Sequence, residues 1–177
     1  MMEQGSKVIL VLSFVLCFVA AVGHINAQTH RPQRRVVPIN EQALRQLIHE
    51  RTGRVLLLNI WATWCKPCVE EFPELIKLRQ TCRDSLVDIV AISVDYPDEV
   101  DSKIIPFLDT LGVPFTVFVA DFSKPEDFIR SLDPSWSGAV PATFVFDRHG
   151  KERTFLLGRK NYEIFKRVVE EGINSNE

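Results

Sequence analysis

Two cysteines separated by two residues, Cys65 and Cys68, stand where a strand-like run of the sequence meets a helix-like run. The preceding residues, 54–61, are almost all apolar and include β-branched side chains, which predicts a buried strand. The following run, from Pro67 to about Thr81, has apolar side chains at near-helical spacing. Proline suits a first helical turn because its missing N–H would have no intrahelical partner there. We therefore expect Cys65 near the N-cap of a helix and Cys68 one turn further in.

A sulfur atom at this position is suited to redox chemistry. The positive end of the helix dipole and the free backbone N–H groups both favour a thiolate. A structural disulfide would close a very short loop, which gains little chain entropy and is readily reduced. A structural zinc site would need two more ligands. The remaining candidates form no second paired motif; they are Cys82, His30, His49 and His149. A dithiol–disulfide redox centre is the favoured interpretation.

The N-terminal segment differs in character from the rest of the chain. Lys7 precedes residues 8–22, an apolar run of fifteen residues with one polar side chain. The next five residues, 23–27, begin with a glycine and end with an alanine, both small. This order is typical of a secretory signal peptide. The apolar run is short for a spanning helix, which needs about 20 residues. An uncleaved anchor remains an alternative because Glu3 weakens the basic start of the signal.

We accordingly divide the chain into a signal peptide or N-terminal anchor (1–27), a polar spacer (28–35) and one folded domain (36–177). Export would place a low-pKa dithiol in an oxidising environment, where it tends to stay oxidised. The sequence has no flavin or nicotinamide fingerprint, so we predict no cofactor, and a partner must supply electrons to a reductant. The formal net charge of −2 and the interspersed charges give no indication of a nucleic-acid partner. Without the signal, Cys82 has no mate, and a small buried thiol is expected there.

Strand-like and helix-like runs alternate along the folded domain. Further strands are predicted at 86–94, 115–120, 142–147 and 154–157, the last two forming a hairpin. Further helices are predicted from Asn40 to Gly53, at 100–111 and 125–132, and after Asn161. This alternation predicts a three-layer α/β domain.

The run Leu-Asn-Ile-Trp-Ala-Thr-Trp-Cys-Lys-Pro-Cys-Val-Glu-Glu-Phe-Pro at 58–73 resembles thioredoxin-fold proteins. More narrowly, it resembles the TlpA/ResA-like branch of exported, often membrane-tethered thiol–disulfide oxidoreductases, within the AhpC/TSA-type redoxin superfamily. Asn59 stands where thioredoxin itself has a buried aspartate. Residues 140–145 match a second marker, a cis-proline before a strand. The resemblance covers about 36–173 and implies a thioredoxin fold with a strand–helix insert, at 115–132, before the cis-proline strand.

The resemblance also implies catalytic roles. Cys65 would attack a substrate disulfide, and Cys68 would resolve the mixed disulfide. Glu71 corresponds to the acid that this branch places near the dithiol, where it could accept the proton of Cys68. The alternative for Glu71 is a surface glutamate beside Glu70. Lys66 adds a nearby positive charge or is simply a solvated side chain.

Three further residues are expected to bind substrate. Trp64 would pack beside the dithiol, although a core role explains Trp64 or Trp61 equally well. A cis peptide bond between Val140 and Pro141 would present the backbone of Val140 to the substrate strand.

The function implied by the resemblance is reduction of protein disulfides in the bacterial periplasm or at the outer face of the cytoplasmic membrane, with cytochrome c maturation as a pathway. Its partners would be disulfide-containing substrate proteins and a membrane electron-donor thiol protein, with a membrane tether through the N-terminal segment.

Two other functions stay open. A thiol peroxidase needs a proline and a threonine or serine at set distances before its cysteine. Here Trp61 is seven residues before Cys68 and Thr63 is only two before Cys65, so the peroxidase pattern is not matched. A copper-delivery module could use Cys65, Cys68 and His149, since thiolates suit Cu(I). However, His149 belongs to a predicted turn, where a solvent-exposed side chain is expected.

Overall fold

A computed structural model describes residues 36–49, 53–82 and 86–175. The strands are β1 (Val37–Ile39), β2 (Val55–Trp61), β3 (Val87–Ser93), β4 (Thr116–Ala120), β5 (Ala142–Phe146) and β6 (Glu152–Leu157). The helices are α1 (Glu41–His49), α2 (Lys66–Thr81), α3 (Ile105–Leu111), α4 (Pro125–Leu132) and α5 (Tyr162–Asn174). A 3₁₀ turn (Pro97–Glu99) and a π-helical turn (Val100–Ile104) lead into α3. The predicted signal peptide or anchor and the spacer lie outside the described residues.

The strands form one sheet in the order β1-β4-β3-β2-β5-β6. The first four strands in this order run parallel, whereas β5 is antiparallel to β2 and β6 is antiparallel to β5. Every residue of β2 is buried. Helices cover both faces of a parallel sheet, which explains why the central strands are almost continuously apolar.

Side chains of β2 alternate between two apolar clusters, one on each face of the sheet. Leu57 and Trp61 belong to the cluster that contains side chains of α2, α3 and α5. Leu58 and Ile60 belong to the other cluster, with side chains of α1 and α4. The predicted three-layer α/β architecture is therefore confirmed. Asn59 shares the α2 face of the sheet, because it is two residues from both Leu57 and Trp61.

The observed elements differ from expectation at several boundaries. Strand β1 was not predicted, because it has three residues and two of them are exposed; its pairing with β4 is long-range and leaves no local pattern. The α-helical geometry of α3 begins at Ile105, after the π-helical turn, and not at residue 100. Strand β6 begins at Glu152, two residues earlier than predicted. Across 36–49, 53–82 and 86–175, no helix has the length and apolarity required to cross a membrane.

Candidate active site

The two cysteines lie at the carboxyl end of the central strand β2. Cys65 is the N-cap of α2 and Cys68 lies in its first turn, as predicted, and the two form a disulfide. The backbone N–H of Cys68 donates a hydrogen bond to Sγ of Cys65, at 3.3 Å. Cys65 is 6 % exposed and Cys68 is 1 % exposed. A substrate therefore has better access to the sulfur of Cys65, and the helix N-terminus directs an N–H at that same sulfur.

Asp95 anchors the loop that carries the cysteines. Its Oδ2 accepts a hydrogen bond from the backbone N–H of Thr63 at 2.9 Å, and its Oδ1 accepts one from the Thr63 hydroxyl at 2.6 Å. The hydroxyl of Ser93 also donates to Oδ2 of Asp95. Sequence analysis missed this residue. The available signal was a serine and an aspartate directly after a buried strand, since the carboxyl ends of adjacent parallel strands meet at one edge of the sheet.

Glu71 lies inside the protein, on the face of α2 that carries Cys68. The two residues are three positions apart, a spacing that places side chains next to each other on a helix. Glu71 is 1 % exposed, so the alternative of a surface glutamate is wrong. Its Oε1 accepts a hydrogen bond from Nδ2 of Asn59 at 2.8 Å, and its Oε2 accepts one from the backbone N–H of Lys160 at 2.6 Å. The neighbouring Glu70 is exposed and forms an ion pair with Arg159 at 2.6 Å.

Burial makes Glu71 a weaker acid than an ordinary glutamate. It raises the pKa of Glu71 from its ordinary value of 4.5 to about 7, although the hydrogen bonds from Lys160 and Asn59 and the positive charges of Lys160 and Arg159 act in the opposite direction. A carboxyl group with this pKa can gain or lose a proton near neutral pH. The cysteine pair thus has a buried carboxyl group that titrates near neutral pH one helical turn away.

This pKa shift predicts how stability depends on pH. Between pH 4.5 and about 7 the folded protein holds a proton on Glu71 that the unfolded chain has released. The stabilisation is therefore complete at low pH and is lost as the pH rises through the folded-state pKa. Oxidised wild-type protein should lose about 3 kcal/mol of unfolding free energy from this group between roughly pH 4 and pH 8. Urea titration of wild type and of Glu71→Gln across this range measures the difference. Parallel pH profiles for the two proteins would contradict the shifted pKa.

A hydrogen-bond chain joins Glu71 to the proline segment. Asn59 faces Thr143 across the β2–β5 pair, and its Nδ2 donates to the Thr143 hydroxyl at 3.0 Å as well as to Glu71. The Val140–Pro141 peptide bond is cis. Pro141 is buried and precedes β5, whose first residue pairs with Ile60, so it lies beside the end of β2. The structure thus brings Glu71, the cysteines and the proline segment to one edge of the sheet.

The two candidate tryptophans have different environments. Trp61 is fully buried and packs against Phe72 and Phe107, with ring centroids 4.4 and 5.0 Å away. Trp64 is 66 % exposed and directly precedes Cys65. A core role therefore explains Trp61 and does not explain Trp64. The side chain of Lys66 is largely exposed, and its nearest ion-pair partner, Glu70, is 4.0 Å away.

The histidine of the copper alternative is far from the cysteines. His149 is exposed in the turn between β5 and β6. Phe146, just before this turn, pairs with Leu56 at the amino end of β2. The cysteines follow the carboxyl end of β2, and the five residues of strand between these two ends span roughly 16 Å. The described residues contain no group of three or more side chains suited to bind a metal ion. The structure does not bring together the proposed copper ligands.

Cys82 is the C-cap of α2 and is half-buried, so its thiol is more accessible than predicted. Burial raises the pKa of this thiol, although the positive charge of Arg79 opposes the effect. Unlike Cys65, it lies at the negative end of the helix dipole, which disfavours a thiolate. Nothing at this position favours a reactive cysteine.

Known proteins resemble this chain in sequence and in fold. The chain matches the family Redoxin over residues 41–163. It is 32% identical over 175 residues to the thiol:disulfide interchange protein DsbE of Pasteurella multocida, covering 91% of this chain and 90% of that protein. It is 23% identical to the thiol-disulfide oxidoreductase ResA of Geobacillus kaustophilus, covering 96% of this chain and 98% of that protein. The crystal structure of a thioredoxin-related protein from Neisseria meningitidis serogroup B superposes with a TM-score of 0.59 at 25% identity, covering 68% of this chain and 86% of that one. With its cysteine pair at the start of α2, the chain belongs to the Redoxin family and is a thiol–disulfide oxidoreductase of the thioredoxin fold.

Proposed function

We propose that this oxidoreductase is an exported reductant of protein disulfides. One observation carries the direction of electron flow: a buried carboxyl group, Glu71, with a pKa of about 7, on the helix face of Cys68. A negative charge close to the dithiol opposes formation of a thiolate. Oxidising members of the thioredoxin fold stabilise their reduced form through a low-pKa thiolate. A carboxylate that opposes the thiolate has the reverse effect and favours release of electrons to a substrate.

The proposed reaction has two exchanges. The thiolate of Cys65 attacks one sulfur of the substrate disulfide, which forms a Cys65–substrate disulfide and releases the other substrate sulfur as a thiolate. Glu71 then accepts the proton of Cys68, and the resulting thiolate attacks Sγ of Cys65. The second substrate sulfur leaves, and the Cys65–Cys68 disulfide forms. Two electrons pass from the dithiol to the substrate, whose two thiolates become thiols by taking the proton held on Glu71 and one proton from solvent.

Substrate contacts are proposed for three residues around the cysteines. Trp64 offers an exposed ring next to Cys65. Val140 precedes strand β5, where its backbone can pair with an extended substrate segment. Pro141 has no N–H and would leave the adjacent substrate backbone free to pair elsewhere. Together they would hold the substrate disulfide over Cys65.

The proposals for export and for the redox partner are argued from the amino-acid sequence. Residues 1–27 have the sequence pattern of a secretory signal peptide. In the periplasm or at the outer face of the cytoplasmic membrane, a thiol protein of that membrane would be required to reduce the Cys65–Cys68 disulfide again. Cytochrome c maturation is the proposed pathway, in which the substrate would be a cysteine pair awaiting haem. Mass spectrometry of the protein from an envelope fraction tests export, with a mature N-terminus at Gln28 as the expected result. Recovery of the intact chain in the cytoplasm would contradict it.

The redox potential tests the direction of electron flow. The Cys65–Cys68 couple should equilibrate below about −200 mV, within the range of reducing thioredoxin-fold proteins. Titration in buffers of reduced and oxidised glutathione, followed by alkylation, measures this potential. Insulin reduction by the same preparation should be lost in Cys65→Ser. A potential near about −120 mV would identify an oxidant and overturn the proposal.

A further inference from the structure

A cavity of about 390 Å³ opens beside the active-site loop, on the side of β4 and α4. Its wall includes Trp64, Asp95, Tyr96, Asp121, Phe122 and Trp136. Trp64 is 66 % exposed and Tyr96 is 74 % exposed, so two aromatic rings stand at the surface here. Large aromatic side chains left this accessible are characteristic of recognition sites.

The inner side of the cavity is lined by aromatic rings that pack against one another. Trp136 is buried, and its Nε1 donates a hydrogen bond to the carbonyl oxygen of Ala139 at 3.0 Å. The centroid of its ring lies 6.1 Å from that of Phe128 and 5.6 Å from that of Phe144. The ring centroids of Phe122 and Phe128 are 5.0 Å apart. An incoming group would thus meet preformed aromatic surfaces, which reduces the conformational cost of binding.

The charge of this region is mainly negative. Among the described lining residues, the two charged side chains are both carboxylates, Asp95 and Asp121. Asp95 is bonded to Thr63 and Ser93, whereas Asp121 is exposed at the rim. Residues 94–138, which supply most of the wall, contain nine acidic and three basic side chains. Such a surface attracts cations and repels acidic segments.

We propose that the cavity is a specificity subsite for a lysine or arginine side chain of the substrate polypeptide, close to its reactive cysteine. The proposal rests on the function proposed above. Two residues of the cavity wall are close in sequence to the active site. Trp64 directly precedes Cys65, and Gly138 is three residues before Pro141. A polypeptide with its sulfur at Cys65 therefore passes the mouth of the cavity.

A basic side chain matches both features of the site. Its hydrocarbon stem can lie along Phe122 and Trp136 while its cation lies over the exposed rings of Trp64 or Tyr96. The carboxylate of Asp121 then faces a positive charge. A purely apolar side chain would desolvate that carboxylate without a partner, and an acidic one would be repelled.

Two disulfide peptides that differ at one position test the subsite. One carries arginine two residues from its cysteine and the other carries leucine there. Wild-type protein should reduce the arginine peptide with a kcat/KM about fivefold higher, an advantage that shrinks as salt is added. In Asp121→Asn the arginine-to-leucine ratio should fall to within about twofold of one, because the rim charge is gone. Asp101→Asn removes the same charge from an exposed residue that does not line the cavity, and should keep the wild-type ratio.

Binding is measured separately from chemistry, so that the two proposals can fail independently. Tryptophan fluorescence is titrated with the same peptides carrying serine in place of cysteine, and the arginine peptide should bind more tightly. Reduction of both peptides at equal rates, with equal binding, would overturn the subsite and leave the reductase proposal intact. A preference for leucine would also overturn it. Selective binding of the arginine peptide without reduction of either disulfide would support the subsite and overturn the proposed function.

Discussion

Replacement of Cys68 by alanine is expected to leave the protein covalently attached to its substrates. Cys65 keeps its position at the start of α2 and the N–H directed at its sulfur, so the first exchange proceeds. No thiol then remains within reach to attack the mixed disulfide. Turnover should fall by roughly 10³-fold or more, since loss of an essential reacting group commonly has effects of this size.

Mixed disulfides provide the readout for this prediction. Cys68→Ala should accumulate adducts that disappear on reduction, whereas Cys65→Ala should trap few because Cys68 is the less exposed sulfur. Cys82→Ala is the matched control and should behave as wild type. Alkylation with a mass tag should label two additional cysteines, Cys65 and Cys68, when the native protein is reduced. Equal trapping by the Cys65 and Cys68 variants would overturn the assignment of the nucleophile.

Glu71→Gln is expected to lower the pKa of Cys65 and at the same time to slow catalysis. Removal of the negative charge eases formation of a thiolate on the neighbouring sulfur. The same change removes the group proposed to accept the proton of Cys68, and loss of a general base costs about 10²- to 10⁴-fold in rate. A lower thiol pKa with slower resolution separates this role from a structural one, because a merely structural glutamate would not produce both effects.

The pH dependence of mixed-disulfide resolution tests whether Glu71 accepts the proton of Cys68. In wild type, resolution of the mixed disulfide should accelerate as the pH rises through about 7, where Glu71 becomes ionised and able to accept a proton. In Glu71→Gln that rise should vanish, and the rate should increase only at the higher pH where Cys68 ionises unaided. Thiolate absorbance in a Cys68→Ala background measures the pKa of Cys65 with and without Glu71→Gln. Glu70→Gln is the matched control on the exposed side of α2. Superimposable titrations for Glu71→Gln and its parent would contradict the proposed coupling.

The local sequence determined the dithiol and the elements that carry it. The apolar run of β2, the proline in the first turn of α2 and the spacing of the two cysteines together predict Cys65 as an N-cap. These signals depend on residues close in sequence, because hydrophobic periodicity and helix capping act over one or two turns. The order of strands and helices can be predicted from the sequence for the same reason. The short edge strand β1 cannot, because the strand it pairs with, β4, is distant in the sequence.

Only the tertiary structure decided which polar side chains the site uses. The glutamates at 70 and 71 are adjacent and chemically identical, yet one pairs with Arg159 at the surface while the other is buried against Asn59 and the backbone of Lys160. The register of β2 with β5 and the position of the β6–α5 loop make that difference, and both are long-range contacts. The same register places His149 at the far end of β2, and the edge shared by β2 and β3 places Asp95 under the active-site loop. The burial of a side chain, and the pKa shift that burial causes, depend on which helices and strands pack over it. Those elements are distant in the sequence, so no local pattern of residues predicts the burial.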